Sequence, residues 1–547
     1  MALMTGGEAV VRTLEALGVT HVFGIVSVHN LPISDALGRS DTITVIRSRH
    51  EQQAAHAADG YARATGRLGV VLTSTGPGAA NAVAGLFEAQ YGSSPVLMIT
   101  GQTESRFYGK GKGFLHEAEK QLDMLRSVTR RAESVRRPED IVGSLLAVAA
   151  DCRTGRPQPG ALEIPIDYQY AVAEHPVPEA AVAPAPRAVP DPDALAQAVE
   201  LLDAAERPLI WAGGGVVSAD ASTQLTELAD KLGAPVVTTI EGRGALAEDH
   251  PLCLGARTER GALAPVVADA DVVLAVGTRF QNYATRMWQL RMPGKLIHLD
   301  ADPSVIGRNY PATVSLVADA REGLAALAAA VSPRGADAAY VDSARAALAA
   351  DNEALAGEIG PDHLQICATM RRLLPRDGII ARDSTVPVYL WGNRLLPILE
   401  PRTSLRPSSV SIGPGLSLGI GACAGTGRRT VVMAGDGGFQ LGIGELATVA
   451  EHNLPMVVCV FNDRGYGVLR VIQDAVMGKR ANVDLHTPDF AAVARGMGLA
   501  AERVAGVAEF ETAFGRAVER DGPTLLDIDM EALAPISFPL PPHQRRR

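Results

Sequence analysis

Cysteine is scarce in this chain of 547 residues, and long apolar stretches are missing from it. The five cysteines lie far apart, form no Cys-x-x-Cys pair and are odd in number, which argues against a disulfide framework or a zinc site. No apolar run approaches the roughly 18 residues of a membrane-spanning helix. The first twelve residues also lack a basic stretch followed by an apolar one. We therefore predict a cytoplasmic protein with no membrane partner.

An excess of basic residues is absent as well. The chain has 51 Lys and Arg against 61 Asp and Glu, a formal net charge of −10, which argues against a nucleic-acid partner and favours small molecules. The basic tail at residues 545–547 is expected to be solvated charge. Hydrophobic residues make up 47% and charged residues 20% of the chain, so large cores can form and a disordered or fibrous protein is excluded.

The length predicts several domains, because a domain typically takes about 150 residues. A Pro/Ala-rich stretch over residues 175–192 can continue neither a helix nor a central strand, and it is expected to be a linker. A second, softer boundary is expected near residue 350, after an Ala-rich helical pattern. We predict a first domain over residues 1–175, a central domain over 190–345 and a third domain over 360–547.

All three segments alternate short β-branched runs with amphipathic helical patterns. In the first segment, buried strands are predicted over residues 42–48, 68–74 and 95–100, with helices over 50–65 and 78–91. Strands that alternate with helices form parallel sheets. The predicted fold class is therefore α/β, with three doubly wound parallel-sheet domains.

Two aspartates follow successive predicted strands of the last domain. One strand runs into Gly435-Asp436-Gly437-Gly438, and the next runs into an Asn-Asp pair that ends at Asp463. Adjacent parallel strands lie about 4.8 Å apart, so both aspartates can emerge at the carboxyl edge, where α/β sheets bind ligands. Carboxylates suit Mg²⁺ or Ca²⁺, and glycines let backbone N–H groups approach phosphate oxygens. A lone Gly-Asp-Gly turn is ordinary, but the paired aspartates favour a metal and diphosphate site.

The segment from Gly435 to Asp463 resembles the signature of the thiamine diphosphate (ThDP) enzymes related to acetohydroxyacid synthase, benzoylformate decarboxylase and benzaldehyde lyase. The family signature is Gly-Asp-Gly, some two dozen residues, then Asn-Asn. The resemblance implies that Asp436, Asp463 and the carbonyl group of Gly465 bind the Mg²⁺ that anchors the cofactor diphosphate. Asp463 replaces the usual Asn, and its charge is expected to tighten metal binding while slightly repelling the cofactor. The resemblance also implies cofactor contacts at Gly435, Gly437, Gly438, Tyr466 and Gly467.

An acidic residue, Glu51, stands at the start of a predicted helix of the first domain. Taken alone, it is typical of a first helical turn, where carboxylates are favoured. Within the resemblance, Arg49-His50-Glu51 matches the segment whose glutamate hydrogen-bonds the cofactor aminopyrimidine and so promotes formation of the ylide. Glu51 is therefore the main candidate catalytic residue.

Two further segments fit the same resemblance. Residues 74–78, Ser-Thr-Gly-Pro-Gly, match the turn behind the pyrimidine, although a plain glycine loop is the alternative. Ile412 is expected to hold the two cofactor rings in a V, with core packing as an additional or alternative role. The implied cofactor contacts in these segments and at one strand end are Thr75, Pro77, Gly78, Asn81, Ser384, Thr385, Val410 and Ile412.

Two histidines are candidate catalytic residues. His29 matches a histidine found in part of the family, and His116 stands at a glutamine position. Two imidazoles near the reacting carbon could transfer protons near neutral pH, whereas locally hydrogen-bonded loop histidines are the alternative. Further candidates for the pocket wall, which would favour a medium-sized or aromatic substrate, are Thr385, Val386, Tyr389, Trp391, Val468 and Leu469.

The resemblance implies a ThDP- and Mg²⁺-dependent lyase or carboligase, and a homodimer or tetramer. Such an enzyme decarboxylates a 2-oxo acid to an enamine, which is protonated or added to an aldehyde. An acetolactate synthase acting on pyruvate and a noncatalytic ThDP-binding protein are the alternatives. Residues 213–215 and 300–303 of the central domain resemble a Rossmann-type crevice. The resemblance to acetohydroxyacid synthases would place FAD in this crevice, but we predict that the protein binds no flavin.

Overall fold

The structure is a computed structural model that describes residues 2–176, 181–183 and 185–538. Residues 177–180 and 184 of the predicted linker, and the basic tail at 545–547, lie outside the described residues. None of the described helices combines the length and apolarity needed to cross a membrane.

The first domain contains a six-stranded parallel sheet in the order β3-β2-β4-β5-β7-β6, and an antiparallel pair of β1 with β8. Its central strands are buried along their whole length because helices cover both faces of the sheet. The strands are β1 (Ala2–Thr5), β2 (His21–Gly24), β3 (Thr44–Arg47), β4 (Gly69–Thr73), β5 (Val96–Gln102), β6 (Arg131–Ser134), β7 (Gly160–Pro165) and β8 (Val172–His175). The helices are α1 (Gly6–Ala16), α2 (Leu31–Gly38), α3 (Glu51–Thr65), α4 (Pro77–Gly92), α5 (Gln121–Arg126), α6 (Ile141–Arg153) and α7 (Ile166–Tyr170).

The strands and helices predicted in this domain are present with shifts of one or two residues at their ends. The predicted strand over 42–48 is shorter and forms only over Thr44–Arg47. Helix α4 begins at Pro77, one residue earlier than predicted, because proline has no N–H to lose in a first helical turn.

The central domain contains a second parallel sheet, in the order β11-β10-β9-β12-β13-β14. Its strands are β9 (Pro208–Ala212), β10 (Val236–Thr238), β11 (Cys253–Gly255), β12 (Val272–Val276), β13 (Leu296–Asp300) and β14 (Val314–Val317). Its helices are α8 (Pro192–Ala204), α9 (Gly214–Ser218), α10 (Ser222–Leu232), α11 (Ala264–Asp269) and α12 (Ala320–Ala330).

The third domain contains a parallel sheet in the order β16-β15-β17-β18-β20-β19, which confirms the predicted fold class of three parallel-sheet α/β domains. Its strands are β15 (Ile379–Arg382), β16 (Ser404–Leu405), β17 (Thr430–Gly435), β18 (Met456–Asn462), β19 (Ala500–Val504) and β20 (Thr524–Asp529). Its helices are α13 (Ala338–Leu373), α14 (Gly415–Thr426), α15 (Asp436–Phe439), α16 (Leu446–Glu451), α17 (Gly467–Val476), α18 (Phe490–Gly496) and α19 (Val507–Glu519). A 3₁₀ segment, Gln440–Glu445, joins α15 to α16.

Helix α13 runs through the predicted boundary near residue 350. The helical conformation is interrupted instead at Gly360, whose φ of 74° and ψ of 171° are not helical. Pro361 then starts the second half of the helix. The Ala-rich pattern continues to this point, so it carries no stop signal at 350. The limits of the domains stay predictions.

The first and third domains pack directly on each other through α3 and α14. A Cβ atom on Gly60 would overlap the carbonyl group of Leu418, and one on Gly421 would overlap that of Ala57. The two helices therefore cross with their backbones in contact, and side chains of both domains form one apolar core. This packing places the start of α3, where Glu51 lies, beside the third domain.

Candidate active site

The two predicted metal-binding aspartates lie at the ends of neighbouring strands. Asp436 directly follows β17 and Asp463 directly follows β18, and the two strands are paired in register up to Gly435 and Phe461. The buried Oδ2 atom of Asp436 has no hydrogen-bond partner among the described residues. A Cβ atom on Gly467 would overlap the Asp463 carboxylate, so glycine makes room for that side chain.

The electrostatics of this pair fit a divalent cation. Burial, and then the repulsion from Asp463, raise the pKa of Asp436 to about 7. Burial also raises the pKa of Asp463, although Arg470 opposes the effect. The described residues contain no group of three or more His, Cys, Asp or Glu side chains placed to hold a metal. Two carboxylates would therefore need backbone oxygens to complete a Mg²⁺ site, and the carbonyl group of Gly465 is the candidate.

Arg470, on α17, is a neighbour of the site that the sequence reasoning missed. Its guanidinium group donates to the backbone carbonyl of Asp463 at 2.6 Å and to that of Arg464 at 2.7 Å. It also donates to the Asp484 carboxylate at 2.7 Å, beside a β-bridge between Asp484 and Gly465. Arg470 thus closes the loop after β18, and its charge partly offsets the carboxylate that Asp463 has in place of an amide.

Glu51 lies beside two other residues of the predicted pyrimidine site. It is the first residue of α3, and the His50 ring caps the helix by accepting the Gln52 N–H at 3.1 Å. The Asn81 amide donates to Glu51 Oε2 at 3.0 Å, and a Cβ on Gly78 would lie 3.1 Å from Glu51 Oε1. The structure therefore brings Glu51, Gly78 and Asn81 together at one edge of the first sheet.

A buried polar network holds the turn behind these residues. Gly76 has a φ of 57°, and its N–H donates to Gln121 Oε1 at 2.6 Å, while the Thr75 hydroxyl donates to the same oxygen at 2.9 Å. Gln121 in turn donates to Glu163 at 2.8 Å, and burial raises the pKa of Glu163. Thr75 is fully buried in this network, so its side chain supports the turn from within. Gln121 and Glu163 were missed because their positions in the sequence are distant from the turn.

The two candidate histidines are neighbours. The ring centroids of His29 and His116 lie 5.1 Å apart, and Ser74 Oγ lies 3.5 Å and 3.4 Å from their respective Nδ1 atoms. Burial, and then the charge of His116, lower the pKa of His29, which favours its neutral form at pH 7. A cavity of about 520 Å³ beside them is lined partly by His116 and Pro77. The pair is therefore brought together as a candidate proton-transfer site.

The loop that carries Val410 and Ile412 is held by two residues at the end of β15. The Asp383 carboxylate accepts the N–H groups of Gly413 at 3.0 Å and Gly415 at 2.9 Å, and Ser384 Oγ lies 3.2 Å from the Val410 carbonyl oxygen. Ser384 thus supports the loop, while Thr385 packs against Gly435. Asp383 was missed, although its position beside Ser384 at a strand end was a usable signal.

Val410 and Ile412 are exposed, at 41% and 38% respectively. The alternative prediction that Ile412 packs in the core of the chain is therefore wrong. Trp391, by contrast, is fully buried in the core of the third domain. The prediction that it lines the substrate pocket is therefore wrong, because an apolar residue near a site cannot be told from a core residue by its type alone. Leu469 is exposed and stays a candidate wall residue.

The glycines of the central domain have a packing role. A Cβ on Gly213 would overlap the carbonyl group of Gly277, and one on Gly215 would lie 2.5 Å from the Gly277 Cα. Burial raises the pKa of the nearby Asp300 to about 6. Close packing between β9 and β12 thus accounts for these glycines without a nucleotide. The expectation that FAD is not bound stays a prediction.

Comparison with known families identifies two cofactor-binding domains and the domain between them. Three models of the thiamine pyrophosphate (ThDP) enzymes match: the N-terminal TPP binding domain over residues 4–124, the central domain over 195–327 and the C-terminal TPP binding domain over 387–528. The chain belongs to the thiamine pyrophosphate enzyme family. It is a ThDP-dependent enzyme, which disfavours the noncatalytic alternative.

The curated relatives differ in the reaction that their names give. A probable 2-ketoarginine decarboxylase, AruI of Pseudomonas aeruginosa, is 36% identical over 96% of this chain and 94% of its own length. A probable acetolactate synthase large subunit of Methanocaldococcus jannaschii is 33% identical over 96% of this chain and 92% of its own. The acetolactate synthase large subunit of Corynebacterium glutamicum is also 33% identical, over 96% of this chain and 86% of its own.

Proposed function

We propose that the protein is a ThDP- and Mg²⁺-dependent enzyme that decarboxylates a 2-oxo acid and releases an aldehyde or joins the product to a second carbonyl compound. The observation that carries this proposal is the position of Glu51, whose carboxylate meets Asn81 and the Gly78 turn at the edge of the first sheet. Bound ThDP supplies the carbon nucleophile that attacks the 2-oxo group and the electron sink for loss of CO₂.

The residues of the chain divide the remaining work. Glu51 would exchange a proton with the cofactor aminopyrimidine, which needs a carboxyl group held in place. Asp436, Asp463 and the carbonyl of Gly465 would hold Mg²⁺ at the diphosphate. His29, neutral at pH 7 because burial lowers its pKa, would move a proton to or from the substrate.

Self-association is part of the proposal. The site has two halves, one at Glu51 and the histidines of the first domain and one at Asp436 and Asp463 of the third domain. Large apolar side chains are exposed beside both half-sites: Val28 and Leu115 precede the two histidines in the chain, and Ile412, Leu441 and Leu469 lie in the third domain. Exposed apolar side chains beside a site favour a covering partner, and a second copy of the chain would supply the other half-site in each case. A homodimer is the minimum assembly, and a tetramer is compatible with it.

The five cysteines are all free and buried, which fits a reducing compartment and the proposed cytoplasmic location.

The test is the Glu51→Gln variant. It should lower kcat by about 10²- to 10⁴-fold, because the proton shuttle is lost, while ThDP uptake measured by calorimetry stays close to wild type. Glu8→Gln is the matched control, since Glu8 is also an acid in the first turn of a helix, α1. Unchanged turnover in Glu51→Gln, with Glu8→Gln equally active, would remove Glu51 from the mechanism.

The substrate is found by a screen for CO₂ release. Pyruvate, branched-chain, phenyl and guanidino 2-oxo acids would be assayed with and without an acceptor aldehyde. Release of CO₂ without an acceptor supports a decarboxylase, and a requirement for the acceptor supports a carboligase. The absence of CO₂ release from every acid would contradict the proposal.

Acetolactate synthesis is a second candidate, because two of the three relatives above carry that name at 33% identity over 96% of this chain. We propose to assay it with pyruvate alone, followed by acid treatment that converts acetolactate to acetoin. Acetoin formation would favour the synthase, whereas acetaldehyde without acetoin would favour simple decarboxylation.

A further inference from the structure

A buried group of charges lies where α3 and α4 meet the third domain. It consists of Asp59 and Arg63 on α3 and Glu88 on α4, and the two acids are at most 1% exposed. Arg63 Nη2 lies 2.6 Å from Asp59 Oδ2 and 3.0 Å from Glu88 Oε1. A single cation thus faces two buried carboxylates, and the proposed reaction uses none of the three residues.

The third domain completes the hydrogen bonding of Glu88. Its Oε1 atom accepts the Ser408 N–H at 2.5 Å, and its Oε2 atom accepts both the N–H at 3.2 Å and the hydroxyl at 2.5 Å of Ser409. Although burial raises the pKa of Glu88, Arg63 and these donors outweigh that effect and lower it overall. Glu88 is therefore an ionised anchor for a segment that lies 320 residues away along the chain.

Arg63 binds the same segment. Its Nη1 atom donates to the carbonyl oxygen of Arg406 at 2.7 Å and to Ser408 Oγ at 3.1 Å. The third-domain hydrogen bonds of the Arg63 and Glu88 side chains all end within residues 406–409. This segment leads directly into the loop that carries Val410 and Ile412.

That loop has a conformation that needs support. Val410 has a φ of 65°, a left-handed value that a β-branched residue rarely adopts. Such strain persists only where the surroundings fix the backbone. Asp383 fixes the far side of the loop through Gly413, and Glu88 with Arg63 fixes the near side.

We propose that Glu88 and Arg63 are positioning residues for the cofactor, which hold the 406–412 segment so that Val410 and Ile412 meet the ThDP pyrimidine. The inference rests on the proposed function, because it takes Val410 and Ile412 as cofactor contacts. Helices α3 and α4 begin at Glu51 and at the Pro77 turn, respectively. The N-terminal ends of α3 and α4 therefore belong to the first-domain half-site. Further along the same helices, Arg63 and Glu88 anchor the loop of the third-domain half-site.

The principal test is Glu88→Gln, which keeps the size of the side chain but removes its charge and places an amide donor against the serine donors. We expect the dissociation constant of ThDP, measured by calorimetry with saturating Mg²⁺, to rise at least tenfold. Asp351→Asn is the matched control: Asp351 is also buried, and it pairs with Arg257 at 2.7 Å and Arg260 at 2.8 Å. Both variants should unfold at lower temperature, but only Glu88→Gln should lose ThDP affinity.

Ser409→Ala is a milder second variant, which removes one hydroxyl donor to Glu88 and no charge. It should weaken ThDP binding by about threefold, less than Glu88→Gln does, because Glu88 keeps its two backbone donors and Arg63. It should add little to Glu88→Gln in the double variant. Amide hydrogen exchange over residues 406–413 should be faster in Glu88→Gln and unchanged in Asp351→Asn.

Wild-type ThDP affinity and exchange in a folded Glu88→Gln protein would overturn the inference. If that variant does not fold, unchanged ThDP affinity and exchange in Ser409→Ala would overturn it. If the unaltered protein takes up no ThDP, the proposed function itself fails, which is a different outcome from normal uptake by all variants.

Discussion

Glu445 offers a sharp test of how the third domain supports the Glu51 half-site. Its buried carboxylate lies at the end of the 3₁₀ segment, and its Oε1 atom accepts the N–H groups of Arg49 at 2.8 Å and His50 at 3.1 Å. The Oε2 atom accepts the Thr448 hydroxyl at 2.7 Å. The two backbone donors directly precede Glu51, so Glu445 fixes the position from which that side chain extends.

The loss of stability expected on removal of the Glu445 carboxylate follows from its two hydrogen bonds to backbone N–H groups. A hydrogen bond to a charged group contributes about 1.5–3 kcal/mol. Because water can reach the donors of Arg49 and His50 once the side chain is removed, we expect Glu445→Ala to lower the free energy of unfolding by about 3 kcal/mol, the lower end for two such bonds. A shift of Glu51 by about 1 Å would lower kcat about 100-fold.

Glu445→Gln should behave differently. The amide oxygen can still accept both backbone N–H groups, and the amide nitrogen can donate to Thr448 Oγ1. The Thr448 hydroxyl then donates to the carbonyl oxygen of Arg47, which lies 3.0 Å away. We expect this variant to lose less than about 1 kcal/mol of stability and less than about fivefold in kcat, because every partner stays satisfied.

The assay is kcat under saturating ThDP and Mg²⁺, together with urea unfolding. Glu451→Ala is the control, since Glu451 pairs with Arg49 and Arg47 at the surface, where ion pairs contribute little. A fully active Glu445→Ala enzyme, or a Glu445→Gln enzyme as impaired as the alanine variant, would refute the reasoning.

Three further predictions concern stability and the metal. Gly421→Ala places a methyl group against the Ala57 carbonyl and should destabilise the protein by about 1–3 kcal/mol in urea unfolding, whereas Gly357→Ala, with nothing within 4 Å, should not. Burial lowers the pKa of His56 from 6.5 to about 4, so the stability linked to its neutral form is complete above pH 6.5 and is lost as the pH falls to about 4. His56→Leu should therefore remove about 3 kcal/mol of the pH dependence of unfolding in that window, and an unchanged pH dependence would contradict this origin. Depletion of divalent cations with a chelator should abolish ThDP uptake in calorimetry and added Mg²⁺ should restore it; full uptake without metal would contradict the assignment of the two aspartates.

The sequence pattern was sufficient for the fold and for contacts that follow from it. Buried β-branched runs between amphipathic helices predict parallel sheets, and the edge shared by neighbouring strands brings Asp436 and Asp463 together. Glu88, Gln121 and Glu445 could not be predicted in the same way. Their partners lie on other elements or other domains, and local periodicity does not encode which surfaces meet.

The contact between α3 and α14 has a consequence for biosynthesis. About 360 residues separate Gly60 from Gly421 along the chain, and a ribosome that adds about 5–20 residues per second needs roughly 20–70 s to make them. Throughout that interval the nascent first domain exposes the face of α3 that later packs on α14, and Glu88 lacks its Ser408 and Ser409 donors. The nascent chain is therefore most prone to aggregation before its last third is synthesised, and this is the period in which chaperones have most time to bind it.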